Sequence, residues 1–298
     1  MSMQIDRAGV VLSLIASLVG CSAAPDIAEE PEAGVNSAAF STAPGEPNHE
    51  AITALGLSFL RPEILTALKV ANVSTDVEFL LNNANHFDDC NFSGGSAVVA
   101  GSQAEAVEAL DPSAISPETE LAAIRAFARS LHALQDFYAH TNWIELGGDQ
   151  LIDRSIGPFS KLAPYSTIPS SGFIVIQGPK PKHAALSRDA RAPYPVNAVV
   201  SAKVAKDRAP GLISGTVDYE AGNFCPKPVA MSHDELNKDK SSNVGRTEQF
   251  EAAKTLAILQ TEHEWCRLAA LTRARWGEAG VARLDRWVAV GATVPTCN

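Results

Sequence analysis

Apolar side chains recur every three or four residues over much of the chain after residue 48, which is the period of amphipathic helices. The clearest helix is predicted over residues 116–143. Ser116 is a suitable N-cap, Pro117 fits the first turn, and acidic residues follow at the positive end of the helix dipole. The face that packs onto the rest of the domain is predicted to contain Ile124, Phe127, Leu131 and Leu134.

Further helices are predicted on both sides of this segment. Asn48 can cap a helix that runs to about residue 60, with Ile52, Leu55 and Phe59 on its apolar face. A second long helix is expected from residue 246 to about 276, ending at Gly277 or Gly280 and followed by a short helix. Shorter helices are predicted over residues 65–70, 76–83 and 102–110.

Residues 147–240 interrupt this helical pattern because they are rich in Pro, Gly and Ser. They contain one strand-like run, residues 173–176, and no regular helix is predicted there. The pattern therefore indicates an all-α fold, a multi-helix bundle with a long irregular insertion.

The first residues resemble an export signal. Residues 8–20 (AGVVLSLIASLVG) are too few to span a bilayer but suit the apolar part of a signal peptide. They end at Leu18-Val19-Gly20-Cys21, which resembles the bacterial lipobox, so lipidation of Cys21 is predicted. The expected location is the bacterial cell envelope, lipid-anchored at the outer membrane or cell surface, with ordinary secretion as the alternative.

Composition divides the remaining chain in two. Residues 21–47 consist mainly of Ala, Pro, Glu and Ser, which is typical of a disordered tether. Residues 48–298 are long enough to form one helical domain with an ordinary core. The net charge of −10 argues against a nonspecific polyanion binder, so no stable nucleic-acid complex is expected.

The cysteines indicate disulfides. With Cys21 lipidated, four remain, and in an oxidising compartment they can form two bridges in any of three pairings. No CxxC spacing is present, which argues against a thiolate zinc site. The four are Cys90, Cys225, Cys266 and Cys297.

Candidate chemistry is concentrated in one row of the central helix. His132, Asp136 and His140 follow one another at intervals of four, so they lie on one helix face. Imidazole and carboxylate are both good ligands for zinc and similar divalent ions. Since the helix is otherwise too apolar to expose this face, the row predicts a metal site rather than a solvated surface.

The same segment carries a family resemblance. Residues 132–143 (HALQDFYAHTNW) resemble the central signature of Het-C-like proteins and of the von Willebrand factor A domain-containing protein seven N-terminal-like family. Three flanking segments fit in order: NHEAIT at 48–53, NHFDDC at 85–90, and LISG at 212–215 with the later Cys225, His233 and residues 237–239 (NKD). The resemblance spans about residues 48 to 265.

This family is in turn distantly similar to zinc-dependent phospholipase C and S1/P1 nuclease, which implies an all-helical bundle holding two or three zinc ions. The resemblance implies a ligand set of His49, Asp76, His86, His132, Asp136, His140, His233 and Asp239. Asp88 and Asp89 are rivals of Asp76, Glu235 is a rival of Asp239, and Glu262 or His263 is a weaker candidate for the later ligand position.

Two departures from those enzymes stand out. The gap of four between Asp136 and His140 is shorter than theirs, so the ion that His140 binds is not assigned. Their mature N-terminal Trp supplies a ligand through its amino group, which an acylated Cys21 cannot do. The third zinc position therefore has no complete ligand set in this sequence.

The expected activity is hydrolysis of a phosphodiester by an exported, lipid-anchored enzyme of the phospholipase C type. Zinc ions would bind the phosphoryl oxygens and lower the pKa of a water molecule, and Asp76 would orient that water or take its proton. The membrane is the expected partner through Cys21, and a phospholipid or another phosphodiester is the expected substrate. The alternatives are an S1/P1-like nuclease and a non-catalytic Het-C-like interaction protein with structural metal.

Overall fold

The structure is a computed structural model that describes residues 48–144, 151, 213–217, 224–225, 233–239 and 247–297. The signal segment, Cys21, the tether and the strand-like run at 173–176 lie outside these residues. Most of the expected irregular insertion lies outside them as well.

The described residues are mostly helical, which confirms the all-α prediction. Between the described residues there is no strand, only two isolated bridges that pair Leu60 with Val288 and Thr141 with Ser214. No described helix is long and apolar enough to cross a membrane. The helices are α1 (His49–Gly56), α2 (Pro62–Glu78), α3 (Asn83–His86), α4 (Phe92–Ala109), α5 (Pro117–His140), α6 (His233–Leu236) and α7 (Thr247–Asp285).

Helix α5 is the central element and begins as predicted. Ser116 accepts a hydrogen bond from the N–H of Thr119, and the Thr119 hydroxyl accepts one from the Ser116 N–H, which completes a capping box. The helix ends at His140 rather than at residue 143, because Thr141 is extended and its carbonyl serves other partners. The predicted packing face is buried at Ile124, Phe127, Leu131 and Leu134.

Helix α2 was predicted as two short helices and is one continuous helix. The polar residues in its middle, Asn72 and Thr75, concealed its period because they face inward and are buried. Asp76 therefore lies in the last turn of a long helix, and not at the start of a new one.

Helices α1 and α4 also differ from the prediction. Leu55 is 58% exposed although Ile52 and Phe59 are buried. Helix α1 ends at Gly56, where α7 passes too closely for a side chain. Helix α4 begins ten residues before the predicted start, at Phe92. Its early turns include Gly95, over which the Phe87 ring lies so closely that a Cβ would be 2.5 Å from the ring.

Helix α7 breaks where the sequence predicted an end. Gly277 has a φ of 63°, a left-handed conformation that favours glycine, and the chain on both sides is helical. The four described cysteines form the two expected disulfides, and the pairing left open by the sequence is Cys90–Cys225 and Cys266–Cys297.

Helix α5 contributes to two apolar clusters. One lies near its C-terminal end and includes Phe87, Phe137 and Leu256, while the other lies nearer its N-terminal end and includes Phe127 and Trp287. The polar row predicted from the sequence lies on the half of α5 nearest the first cluster, where α1, α2 and α3 meet it.

Candidate metal centre

Four side chains from three helices converge at one position, which we call the first centre. His132 and Asp136 come from α5, Asp76 from the last turn of α2, and His86 from the end of α3. The two α5 residues are fully buried, and the side chain of Asp76 is 14% exposed.

The distances between the ligand atoms of the first centre suit a tetrahedral ion. The His132 Nε2 atom lies 3.0 Å from Asp136 Oδ2, 3.3 Å from Asp76 Oδ1 and 3.2 Å from His86 Nδ1. The His86 Nδ1 atom lies 2.9 Å from Asp136 Oδ2 and 3.9 Å from Asp76 Oδ1. Zinc with bonds of 2.0–2.2 Å requires ligand atoms about 3.3–3.5 Å apart in a tetrahedron, so the donor set fits this ion.

The other nitrogen of each ring has an oxygen acceptor, which sets the tautomer. The His132 Nδ1 atom lies 3.1 Å from Asn72 Oδ1, and the His86 Nε2 atom lies 3.3 Å from the carbonyl oxygen of Phe79. In the neutral rings these nitrogens carry the proton, so both nitrogens that face the centre present lone pairs. Two lone pairs and two carboxylates facing one point are the arrangement that a cation stabilises.

His49 lies against the other oxygen of Asp136. Its Nε2 atom is 3.2 Å from Asp136 Oδ1, its Nδ1 atom is 2.6 Å from Gln135 Oε1, and its ring stacks on that of His132. The ligand atoms of His49, Asp76, His132 and Asp136 all lie within 4.8 Å of one another. The two oxygens of Asp136 therefore face different histidines, with Oδ2 towards His86 and His132 and Oδ1 towards His49.

A second centre surrounds His140, at the C-terminal end of α5. The His140 Nδ1 atom lies 3.1 Å from Asp88 Oδ1, and its Nε2 atom lies 3.5 Å from Asp239 Oδ1. The rings of His140 and His233 are 4.2 Å apart, and the ligand atoms of Asp88, His140 and His233 lie within 4.8 Å of one another. Among the residues that the structure describes, two imidazoles with one of the two carboxylates make a three-ligand set, which leaves one position of a tetrahedral zinc ion open.

Several of these buried oxygens make no hydrogen bond, which also fits a cation. The atoms concerned are Asp76 Oδ2, Asp88 Oδ1, Asp136 Oδ1 and both carboxylate oxygens of Asp239. The short contacts of Asp88 and Asp136 with histidine nitrogens lack hydrogen-bond geometry. A buried carboxylate oxygen without a partner costs free energy that an ion would recover.

Asp88 occupies an unusual turn. Phe87, Asp89 and Cys90 all have positive φ values, of 55°, 54° and 58°. Each such residue costs about 1 kcal/mol or more, so the turn persists only because the surrounding structure holds it. Its contacts with residues 213–217 do so: the Asp89 N–H donates to the Gly215 carbonyl at 2.7 Å.

The carboxylates control the protonation of the histidines. Burial alone would lower the pKa of His132, but Asp136 and Asp76 outweigh it and raise the pKa to about 10. Burial also lowers the pKa of His140, but Asp88, Asp136 and Asp239 outweigh this effect and raise that pKa well above its ordinary value. Burial raises the pKa of Asp136, yet the positive charges of His132, His140 and His49 hold it well below its usual range. Without an ion, protons therefore occupy ligand positions.

The structure brings all eight predicted ligands to the two centres and divides the predicted row between them. His132 and Asp136 belong to the first centre and His140 to the second, because eight residues of helix separate the two histidines by about 12 Å. The carboxylate beside His132 is that of Asp76, while its rival Asp88 lies at the second centre. The side chain of Glu235 lies outside the described residues.

The residues that orient the ligands were not predicted. Asn72 and Gln135 accept from His132 and His49, and Asn72 Nδ2 also lies 3.2 Å from Gln135 Oε1. The only signal in the sequence was the position of Gln135 next to Asp136, and it is weak because Asn and Gln are common in helices without orienting a ligand.

The described structure is thus an all-α domain with two adjacent histidine–carboxylate centres. Residues 49–168 match the family model of the VWA7 N-terminal domain, so this part of the chain is VWA7-N-like. The chain is also similar to human von Willebrand factor A domain-containing protein 7, with 36% identity over 98 residues. These are 32% of this chain and 10% of the human protein.

No solved structure matches this chain. The similarity to phospholipase C and S1/P1 nuclease therefore stays a prediction from the motifs. The matched segment contains every ligand of the first centre, whereas His233 and Asp239 lie beyond it.

Proposed function

We propose that this protein is a zinc-dependent phosphodiesterase of the phospholipase C type, exported and anchored to the cell envelope through Cys21. The observation that carries the proposal is the convergence of His86, His132, Asp76 and Asp136 on one position. Their ligand atoms lie 2.9–3.9 Å apart where measured, a range around the spacing of about 3.4 Å that tetrahedral zinc needs.

The two centres differ in what they leave open. The first has four protein ligands, which is a closed set for tetrahedral zinc. The second has His140, His233 and a carboxylate, so a fourth position is left for water or substrate. Asp136 belongs to the first centre and its Oδ1 atom faces His49, but its negative charge also raises the pKa of His140 in the second centre.

When bound, zinc ions supply positive charge for phosphoryl oxygens and lower the pKa of a water molecule. The protein residues do the rest. Asp136 holds the two histidines of the first centre and His49 in one array, and Asn72 and Gln135 fix the orientation of their rings. Asp76 is the most accessible carboxylate of the first centre, and its Oδ2 atom would accept a proton from a water molecule beside that centre, not from one at the open position of the second.

A phospholipid is the substrate that best fits the proposed location. Lipidation of Cys21 would keep the domain at a membrane surface, where the effective concentration of phosphodiester head groups is high. A single-stranded nucleic acid has the same scissile group, but the net charge of −10 disfavours it electrostatically.

A second candidate is a non-catalytic interaction protein with structural zinc. The closed four-ligand set of the first centre favours this alternative, because structural zinc sites are filled by protein ligands. The two candidates predict the same metal content and differ in turnover.

The deciding experiment combines zinc analysis with substrate profiling. The purified full chain is expected to hold two or three zinc ions and to release a phosphorylated head group from phosphatidylcholine vesicles. Asp136→Asn should lower turnover by at least about a hundredfold, as expected for loss of a metal ligand. His263→Ala is the matched control, since His263 is a half-buried histidine of α7 outside both centres.

Other outcomes separate the alternatives. Cleavage of single-stranded nucleic acid without phospholipid turnover supports the nuclease. Stoichiometric zinc without turnover on phospholipids or nucleic acids overturns the enzymatic proposal and leaves the structural role.

A further inference from the structure

One disulfide lies at the second centre. Cys90 follows the ligand Asp88 by two residues, and Cys225 precedes the ligand His233 by eight. Their Cα atoms are 4.9 Å apart, and both cysteines are buried. The bridge therefore fastens the turn that carries Asp88 to a segment that is otherwise 135 residues away along the chain.

The turn depends on this distant segment for its conformation. The Cys90 N–H donates to the Ser214 hydroxyl at 2.7 Å, and the Phe224 N–H donates to the Asp89 carbonyl at 2.8 Å. Residues with positive φ flank Asp88 on both sides, so the turn has little stability of its own. The bridge is the covalent part of the support that keeps Asp88 3.1 Å from His140.

The segment at 213–217 links the same turn to the remaining ligands. The Gly215 N–H donates to the His140 carbonyl, and the His233 N–H donates to the Thr216 carbonyl, both at 3.0 Å. Asp88, His140 and His233 are thus held together through a segment that packs directly on the disulfide: Ser214 O lies 3.5 Å from Cys225 Sγ and 3.7 Å from Cys90 Sγ.

The first centre contacts the second centre through His86, whose carbonyl oxygen lies 3.2 Å from His140 Nδ1, but the first centre also has support of its own. Its ligands lie on α2, α3 and α5, and their orienting contacts come from Asn72 and the Phe79 carbonyl. The other disulfide, Cys266–Cys297, ties α7 to the C-terminal tail and includes no neighbour of either centre.

We propose that the Cys90–Cys225 disulfide holds the ligands of the second centre in position, so that reducing it weakens ion binding at the second centre and not at the first. A dithiol reductant attacks one sulfur, the S–S bond breaks, and a second thiol of the reductant completes the exchange. Two electrons and two protons pass to the cysteines, which end as thiols, and the reductant ends as its own disulfide. The freed turn then no longer holds Asp88 beside His140.

The proposal rests on ion binding at the second centre and does not require the hydrolysis proposed above. Its test is therefore metal affinity, measured without any substrate. Zinc is titrated into the ion-free full chain against a chromophoric chelator, and His140→Gln identifies the binding step that belongs to the second centre.

The critical variant is the pair Cys90→Ser with Cys225→Ser, which removes the bridge without leaving thiolates that capture zinc. The step missing in His140→Gln is expected to weaken by at least about tenfold, as for loss of support around a metal ligand, while the first-centre step stays unchanged. Cys266→Ser with Cys297→Ser is the matched control and should retain both steps. Reduction of the wild-type chain followed by alkylation should reproduce the result of the first pair.

A further comparison guards against general unfolding. Asp88→Asn in the oxidised chain should weaken the same binding step. Adding Asp88→Asn to the Cys90/Cys225 pair should weaken that step little further, because both changes remove the same contribution, that of Asp88 beside His140. Unchanged affinity at the second centre in the Cys90/Cys225 pair overturns the proposal. Equal weakening of both centres, or the same loss in the control pair, overturns it as well.

Discussion

The Nε2 atom of His132 lies 3.2 Å from the Nδ1 atom of His86, although two neutral ring nitrogens without protons do not attract each other. Their other nitrogens are directed at Asn72 and at the Phe79 carbonyl, and two carboxylates close the remaining sides. The arrangement is stable with a proton on His132 or with a cation between the four groups. This competition leads to the first prediction.

Zinc binding should release a proton from His132. The pKa of about 10 in the ion-free chain means that this ring is protonated at pH 7, while a ligand must be neutral. Zinc affinity at the first centre should therefore rise by about tenfold per pH unit between pH 7 and 9. Calorimetry in buffers of different ionisation enthalpy measures the protons released, and a pH-independent affinity would contradict the prediction.

The ion-free protein should show the opposite dependence in its folding stability. The His132 pKa is raised from 6.5 to about 10, so its stabilising contribution is complete below pH 6.5 and is lost as the pH rises through 10. The loss is about 1.4 kcal/mol per pH unit for one such group in that range. Urea unfolding at pH 6.5 and 9, without and with zinc, measures whether the ion-free protein loses stability as the pH rises while zinc binding becomes stronger.

Asn72→Leu should weaken zinc binding at the first centre by about 10–100-fold, the usual effect of losing a group that orients a ligand. The His132 Nδ1 atom would lose its acceptor, so the free energy of unfolding should also fall by about 1–3 kcal/mol. Val70→Ala, at an exposed position of the same helix, is the control. Wild-type zinc affinity in the leucine variant would show that Asn72 does not orient the ring.

Gly215→Ala should impair the second centre selectively. A Cβ at this position would lie 2.4 Å from the Cα atom of His233, so the short helix that begins there must move. Binding of the second-centre ion is expected to weaken by at least about tenfold, with first-centre binding unchanged. The same zinc titration measures both steps.

The matched control for this variant is Gly101→Ala. Gly101 lies inside α4, where a Cβ would meet nothing within 4 Å, so the substitution should leave zinc binding unchanged and stabilise the helix by about 0.5–1 kcal/mol. Equal zinc affinities in the two alanine variants would rule out the steric role of Gly215.

Glu120→Ala should lower stability without affecting the metal centres. Its carboxylate accepts from Arg283 Nη2 at 3.0 Å and from the indole nitrogen of Trp287, both from buried residues. Since Glu120 is about one-third exposed, we expect a loss of about 1–3 kcal/mol in the free energy of unfolding. Glu118→Ala, in the same helical turn but exposed, should cost less than about 1 kcal/mol, and zinc content should stay normal in both.

The central helix and the row His132, Asp136 and His140 follow from the sequence pattern, because a capping signal and a four-residue spacing act locally. The other candidate ligands were implied by the family resemblance and not by the pattern. The spacing did not predict that His140 belongs to a different centre from His132 and Asp136. That division depends on Asp88 and His233 reaching His140 from other segments, whereas His49 and His86 reach Asp136. The continuous α2 was hidden for a related reason: Asn72 and Thr75 are polar because they face the centre and not because they face water.

The two centres also differ in when the chain can complete them. All ligands of the first centre lie between Asp76 and Asp136, so a chain that emerges from its N-terminal end carries that set within its first half. The second centre needs His233, and its supporting bridge closes only when Cys225 has joined Cys90. The ions are therefore expected to be taken up in a fixed order, with the first available to guide the folding of the segment that builds the second.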